Sequence, residues 1–141
     1  MTRIFRLADV VRRLTRRRGM AGSQALGQDG EDIAHRYLQC AGMVVSARNY
    51  RTPGGAAEVD LIANDGAYLV FVEVKTRETD EFGAPDRAIG EAKREKIRRA
   101  ARHYLRRSGH DPEKVRFDSV AIIAKCGRTA SIDHVRGAWD L

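Results

Sequence analysis

Apolar and polar positions alternate along the chain with two different periods, and their order sketches a fold. Residues 2–18 place Ile4, Leu7, Val10, Val11 and Leu14 at helical spacing, with arginines on the other face. The Gly-rich stretch "GMAGSQALGQDG" then breaks the pattern and reads as a linker. A helix is expected from Asp29 to Gly42, with Leu26, Ile33, Ala34, Tyr37, Leu38 and Ala41 as its apolar stripe and Gly42 as its stop. "MVVSARNYRT" reads as a first strand and "PGG" as a turn; "AEVDLIA" and "AYLVFVEVKT" follow as two strands around "NDG". After the polar loop "ETDEFGAP", Ile89, Ala92, Ile97, Ala100, Ala101, Tyr104 and Leu105 predict a long helix from about Asp86 to Arg107. "VRFDSVAIIA" is a further strand, and "CGRTASIDHVRGAW" a turn with a last short strand or coil. The order α-β-β-β-α-β predicts an α/β domain, a mixed sheet flanked by helices. Residues 1–22 are expected to be a basic amphipathic extension and residues 23–141 the folded domain.

Charge adds a second pattern. The 141 residues carry a formal net charge of +7, which favours polyanionic partners. Residues 1–22 hold seven Arg and one Asp, and residues 87–107 hold nine Lys or Arg against Glu91 and Glu95. The remainder is acidic, with acids gathered between Glu58 and Asp86. An acidic centre between basic segments suits a cation-dependent site acting on a phosphodiester; solvated helix faces and scattered surface acids are the bland alternative. No run approaches the roughly eighteen apolar residues of a membrane span. The first eighteen residues lack the apolar core of a secretory signal, although their Arg-rich character would also fit an organellar transit peptide. Cys40 and Cys126 stand far apart without metal-ligand spacing, so each is expected to be a small buried residue in a reducing, cytoplasmic compartment.

The chemistry concentrates in "AYLVFVEVKTR" (67–77). Strand alternation puts Leu69, Phe71, Glu73 and Lys75 on one face, and burying an unpaired charge is costly. If Asp65-Gly66 is the turn, Asn64 pairs with Ala67, Glu58 lies opposite Glu73, and Asp60 is one diagonal step from Glu73. Carboxylates so placed raise one another's pKa and call for a cation. A divalent ion bridging Asp60 and Glu73, with Lys75 beside it, would suit phosphodiester hydrolysis. An exposed Glu73–Lys75 pair at a strand end is the structural alternative.

An acid on one strand, E-x-K on the next and a Glu on the preceding helix resemble the PD-(D/E)XK nuclease pattern. More closely, the chain resembles the YraN-like family of uncharacterised bacterial proteins. The matching stretches are "GQDGEDIAHRYLQCAG", "ARNYR", "EVDLIA", "LVFVEVKTR", "FGAPDRAI" and "KREKIRRAARHYL". The resemblance implies a restriction-endonuclease-like mixed sheet, related to archaeal-type Holliday junction resolvases. It implies Mg²⁺ (or Mn²⁺) held by Asp60, Glu73 and the main-chain carbonyl of Val74, with Lys75 positioning the water. Glu31 would contact a metal-bound water or a second ion. Nucleic acid, with DNA favoured and branched DNA attractive, is the implied partner, and a homodimer is implied by the resolvases. A nucleic-acid-binding module of the same fold, without cleavage, is the second reading. The classical Pro-Asp of the PD-(D/E)XK motif is here Val59-Asp60, and where the family usually has a compact "GGEIDL" this chain has "GGAAEVDL", longer before Glu58.

Arg77, on the face of Lys75, and Lys93, early in the basic helix, are candidates for contacting substrate phosphate. Arg94, Arg98, Arg99 and Arg102 read as phosphate-backbone contacts or solvent-facing charge. His35, four residues after Glu31, reads as a structural histidine, and His103, His110 and His134 show no zinc-like pairing.

Overall fold

The computed structural model describes residues 23–78, 89–125 and 128–141. The extension 1–22, residues 79–88 and Cys126 lie outside the described residues.

The first helix, α1 (Ser23–Cys40), begins earlier than its apolar stripe predicts and stops where Gly42 was expected to stop it. Gly42 has φ +92°, its N–H reaches Gln39 O at 3.1 Å, and Met43 N–H reaches Leu38 O at 3.0 Å. This paired cap satisfies carbonyls that the last turn would otherwise leave open. Strands β1 (Val44–Arg51), β2 (Glu58–Asp65) and β3 (Tyr68–Glu78) follow. The second helix, α2 (Glu91–Ser108), leads to β4 (Val115–Lys125) and β5 (Arg128–Trp139). The five strands lie in the order β1-β2-β3-β4-β5. Only β3 and β4 pair in parallel, joined by the α2 crossover; the other neighbours are antiparallel. The result is the expected mixed α/β sheet with flanking helices, consistent with a restriction-endonuclease-like arrangement. "CGRTASIDHVRGAW" contributes a full edge strand rather than a short one.

Each helix covers one face. Val70 and Val72 pack with Ala34 and Leu38 of α1, whereas Leu69 and Phe71 pack with Ile97, Ala100, Ala101 and Leu105 of α2. On α2, Ile97, Ala100, Ala101 and Leu105 hold the inner positions expected of them, but Ala92 is exposed. Gly90 is the N-cap, in extended geometry, so Ile89 enters the core from the segment before the helix. Cys40 is exposed at the end of α1, not buried.

The hairpin register differs from the expectation. Asp65 pairs with Tyr68, leaving Gly66-Ala67 as the loop, with Gly66 at φ +59°. A glycine in the first loop position is what a II′-type hairpin requires. Asp65 is thereby kept as a strand residue, and its carboxylate takes Arg116 at 2.9 Å and Arg136 at 3.6 Å. The shift is by two positions, so every β3 side chain keeps its face. Its opposite neighbour changes: Leu61 pairs with Val72, which brings Asp60, not Glu58, level with Glu73. Glu58 instead pairs across with Arg51, at 3.2 Å.

Candidate metal and nucleic-acid site

The site forms where β2 separates from β3. Val59 and Ile62 both join the α2-side core, while Leu61 and Ala63 join the α1-side core. Strict alternation would put Val59 with Leu61, so the strand turns over at Asp60. Strand β1 turns over in step: Ala47 and Tyr50 both pack on the α2 side, and Asn49 between them has φ +49°. The β2–β3 pairing ends at Leu61–Val72. Beyond it, Asp60 Oδ2 accepts the Val74 main-chain N–H at 2.8 Å. A side chain thus takes a ladder donor that a backbone carbonyl would normally satisfy, which fixes Asp60 against β3.

Glu73 faces this carboxylate from β3 and is only 4% exposed. Burial, and then the charge of Asp60, push its pKa up to about 8, while Lys93 pulls it down. Lys93 Nζ lies 3.4 Å from Glu73 Oε1. Burial works against the Lys93 ammonium, but Glu73 and Asp60 outweigh it and hold its pKa above the usual lysine value. The Glu73 and Asp60 carboxyls lie within hydrogen-bond reach of each other, while Glu73 Oε2 is buried and receives no donor among the described residues. Buried polar atoms are rarely left so. Two neighbouring carboxylates, one with an oxygen that receives no donor, fit a hard divalent cation, which commonly binds one or two protein carboxylates and keeps several waters.

The remaining sequence candidates are placed unevenly. Lys75 and Arg77 continue the Glu73 face and line a cavity of about 220 Å³ with Ile89, Ser119, Ile123 and Val135. The Val74 N–H is committed to Asp60. Glu31 sits on α1, the opposite side of the sheet from Phe71 and Glu73. Its Oε2 accepts Asn49 Nδ2 at 3.0 Å, with Arg48 at 3.6 Å, and Arg48 also bridges to Asp32 at 2.7 Å. Among the described residues no group of three or more His, Cys, Asp or Glu is arranged to hold a metal ion. The structure therefore brings Asp60, Glu73 and Lys93 together, sets Lys75 and Arg77 along the same face, and ties Glu31 to β1. Asn49, which links Glu31 to the strand turnover, carries no signal in a single sequence beyond asparagine's tolerance of positive φ.

A second polar cluster escaped sequence reading. Asp118 of β4 is fully buried and receives Arg116 through two bonds, at 2.8 and 3.0 Å, and Gly137 N–H at 3.1 Å. His134 Nε2 lies 2.8 Å from Asp118 Oδ2, and its Nδ1 lies 3.3 Å from the Tyr37 hydroxyl. Since an ionised carboxylate only accepts, Nε2 carries the proton. Burial alone would raise the Asp118 pKa; the bonds from His134, Arg116 and Gly137 outweigh it and hold the carboxyl below its ordinary value. The one available signal was an aspartate inside the apolar run "VRFDSVAIIA".

Comparison with known proteins adds a family. The profile of the uncharacterised protein family UPF0102 matches residues 30–122. A UPF0102 protein of Solibacter usitatus is 46% identical over 136 residues, covering 96% of this chain and 97% of that protein. One from Rhodococcus jostii is 49% identical over 120 residues, 85% of this chain and 100% of the relative. One from Desulfosudis oleivorans is 43% identical over 117 residues, 83% of this chain and 91% of the relative.

Proposed function

The chain belongs to the uncharacterised protein family UPF0102, and we propose that it is a divalent-metal-dependent nuclease. The observation that carries this reading is the Asp60–Glu73 carboxylate pair, Glu73 buried and Asp60 half-buried, with Glu73 Oε2 lacking a donor, beside Lys93 and two residues along the strand from Lys75. A core that needed only packing would not bury a glutamate where desolvation and the charge of Asp60 oppose its ionisation.

Asp60 and Glu73 would hold Mg²⁺ or Mn²⁺, with the Val74 carbonyl as the further donor that the resemblance implies; Glu31, which the resemblance also adds, is instead bound to Asn49 and Arg48. Such an ion polarises a phosphate oxygen and lowers the pKa of water. Lys75 orients the attacking water, and its ammonium stabilises the negative charge that develops as the water oxygen bonds to phosphorus and a P–O ester bond breaks. Arg77, further along the strand, and Lys93, across the groove, engage the phosphates on either side. Nucleic acid is the substrate, with DNA, and branched DNA in particular, the first to test. A second reading, a nucleic-acid-binding module without cleavage, draws on the Lys93–Glu73 ion pair, which supplies a counter-charge to the site without any metal.

Cleavage of flap, fork and four-way junction DNA in Mg²⁺ or Mn²⁺ separates the two. The nuclease reading expects wild-type cutting that falls at least a hundredfold in Asp60→Ala and Lys75→Ala. Binding without nicking in either metal supports the binding module. Equal cutting by wild type and both variants contradicts the site assignment.

A further inference from the structure

The cations of α2 are sorted onto two chemically different flanks. Successive helical residues are rotated by about 100°, so Arg94, Arg98 and Arg102 fall on the flank turned toward β5. There Arg94 lies 5.8 Å from the Trp139 ring centroid, and Arg98 donates to Asp140 O at 2.8 Å and to Glu91 at 2.6 Å. Arg102 donates to Glu95 at 3.2 Å. Both acids of the helix, Glu91 and Glu95, serve this flank and offset two of its three positive charges.

The other flank turns toward β1, as the His103–Tyr50 hydrogen bond of 2.6 Å and the Lys93–Glu73 contact show. On it, and on the outer surface beside it, lie Lys96, Arg99, Arg106 and Arg107, all exposed. None of the four has an ion pair or side-chain hydrogen bond among the described residues. Strand β1 offers them no counter-charge, and its own Arg48 and Arg51 are committed to Glu31, Asp32 and Glu58. From Lys93 to Arg107 the row runs about 20 Å along the helix axis. Like charges gathered without partners repel one another, and a polyanion laid along them releases its counterions and relieves that repulsion.

We propose that the β1-side flank of α2 and the outer surface beside it, through Lys96, Arg99, Arg106 and Arg107, hold a nucleic-acid backbone and lead it by way of Lys93 to the Asp60–Glu73 pair. The arginines on the β5 side take no part. This inference rests on the reading of the chain as acting on nucleic acid, and sharpens it by giving the substrate a path.

The test compares two charge-matched double variants of the full chain, Lys96→Ala/Arg99→Ala and Arg98→Ala/Arg102→Ala, with fold confirmed by thermal melting. Binding of a fluorescein-labelled flap duplex is followed by anisotropy across a KCl series in EDTA, so that nothing is cut. Each lost phosphate contact flattens the slope of log affinity against log salt by about 0.9. The Lys96/Arg99 variant is expected to lose about two units of slope and at least tenfold in affinity at moderate salt. The Arg98/Arg102 variant is expected to keep its slope and change affinity by less than about twofold. Equal effects in the two variants, or an unchanged slope in the first, overturn the path while leaving nucleic-acid binding intact. Failure of the wild type to bind the duplex overturns both.

Discussion

Asp118 and Glu73 are both buried carboxylates, and their surroundings send them in opposite directions. Asp118 is met by Arg116, His134 and a main-chain N–H, so every bond made to it favours the ionised form. Glu73 is met by another carboxylate and by one lysine, and keeps an oxygen without a donor. The first is the pattern of a structural charge; the second is the arrangement on which the proposed metal site rests. Because the folded-state pKa of Asp118 is depressed, the unfolded chain binds more protons there in acid. Its stabilisation is complete above the unfolded value of about 4 and is lost as pH falls through the folded value. Replacing Asp118 by Ala leaves Arg116 with its Asp65 partner alone and His134 without its acceptor. At pH 7 the variant is expected to lose about 3–5 kcal/mol, the cost of breaking a buried pair. Urea unfolding measured at pH 7 and again near pH 3 checks this, with the gap to wild type narrowing at the lower pH.

At the scale of elements, a close approach brings α1 to the sheet. A Cβ built on Gly30 would collide with Thr76 Oγ1 on β3, one residue beyond Lys75. Glycine inside a helix costs about 1 kcal/mol against alanine, and here the missing side chain lets the turn that carries Glu31 lie against the strand. Gly30→Ala is expected to destabilise the protein by about 1–3 kcal/mol through overpacking. The same change in a Thr76→Ala background, where the obstructing hydroxyl is gone, should be neutral or stabilising. A double-mutant cycle by thermal melting measures that coupling.

The elements show what a sequence can and cannot carry. Asp60, Glu73 and Lys75 were legible because strand parity is local, and a two-residue register shift leaves it unchanged. The register itself was not, because Asp65-Gly66 and Gly66-Ala67 both make acceptable hairpin loops. Tertiary partners decided between them: Asp65 has Arg116 and Arg136 to bind only if it stays in the strand. The turnover of β1 and β2 at Asn49 and Asp60 departs from simple alternation and was invisible for the same reason. The Asp118 cluster joins Tyr37 to His134 across 97 positions, a distance no periodicity spans. Ala92 was misread because the pattern was carried through Gly90, where the helix begins.

For the whole molecule, charge distribution and fold point the same way. No helix among the described residues is long and apolar enough to cross a membrane. Among the described residues the β2–β3 pairing ends at Leu61–Val72, and the acids beyond it lie beside the basic helix α2. Metal binding at these acids is the claim on which the rest depends. Titration of the full chain with Mn²⁺, followed by loss of the free-ion EPR signal, tests it directly, with wild type set beside Asp60→Asn. The expected result is uptake of about one ion per chain at millimolar Mn²⁺ by the wild type and none by the variant. No uptake by the wild type, or the same uptake by both proteins, would contradict the assignment of Asp60 and Glu73 as a metal site.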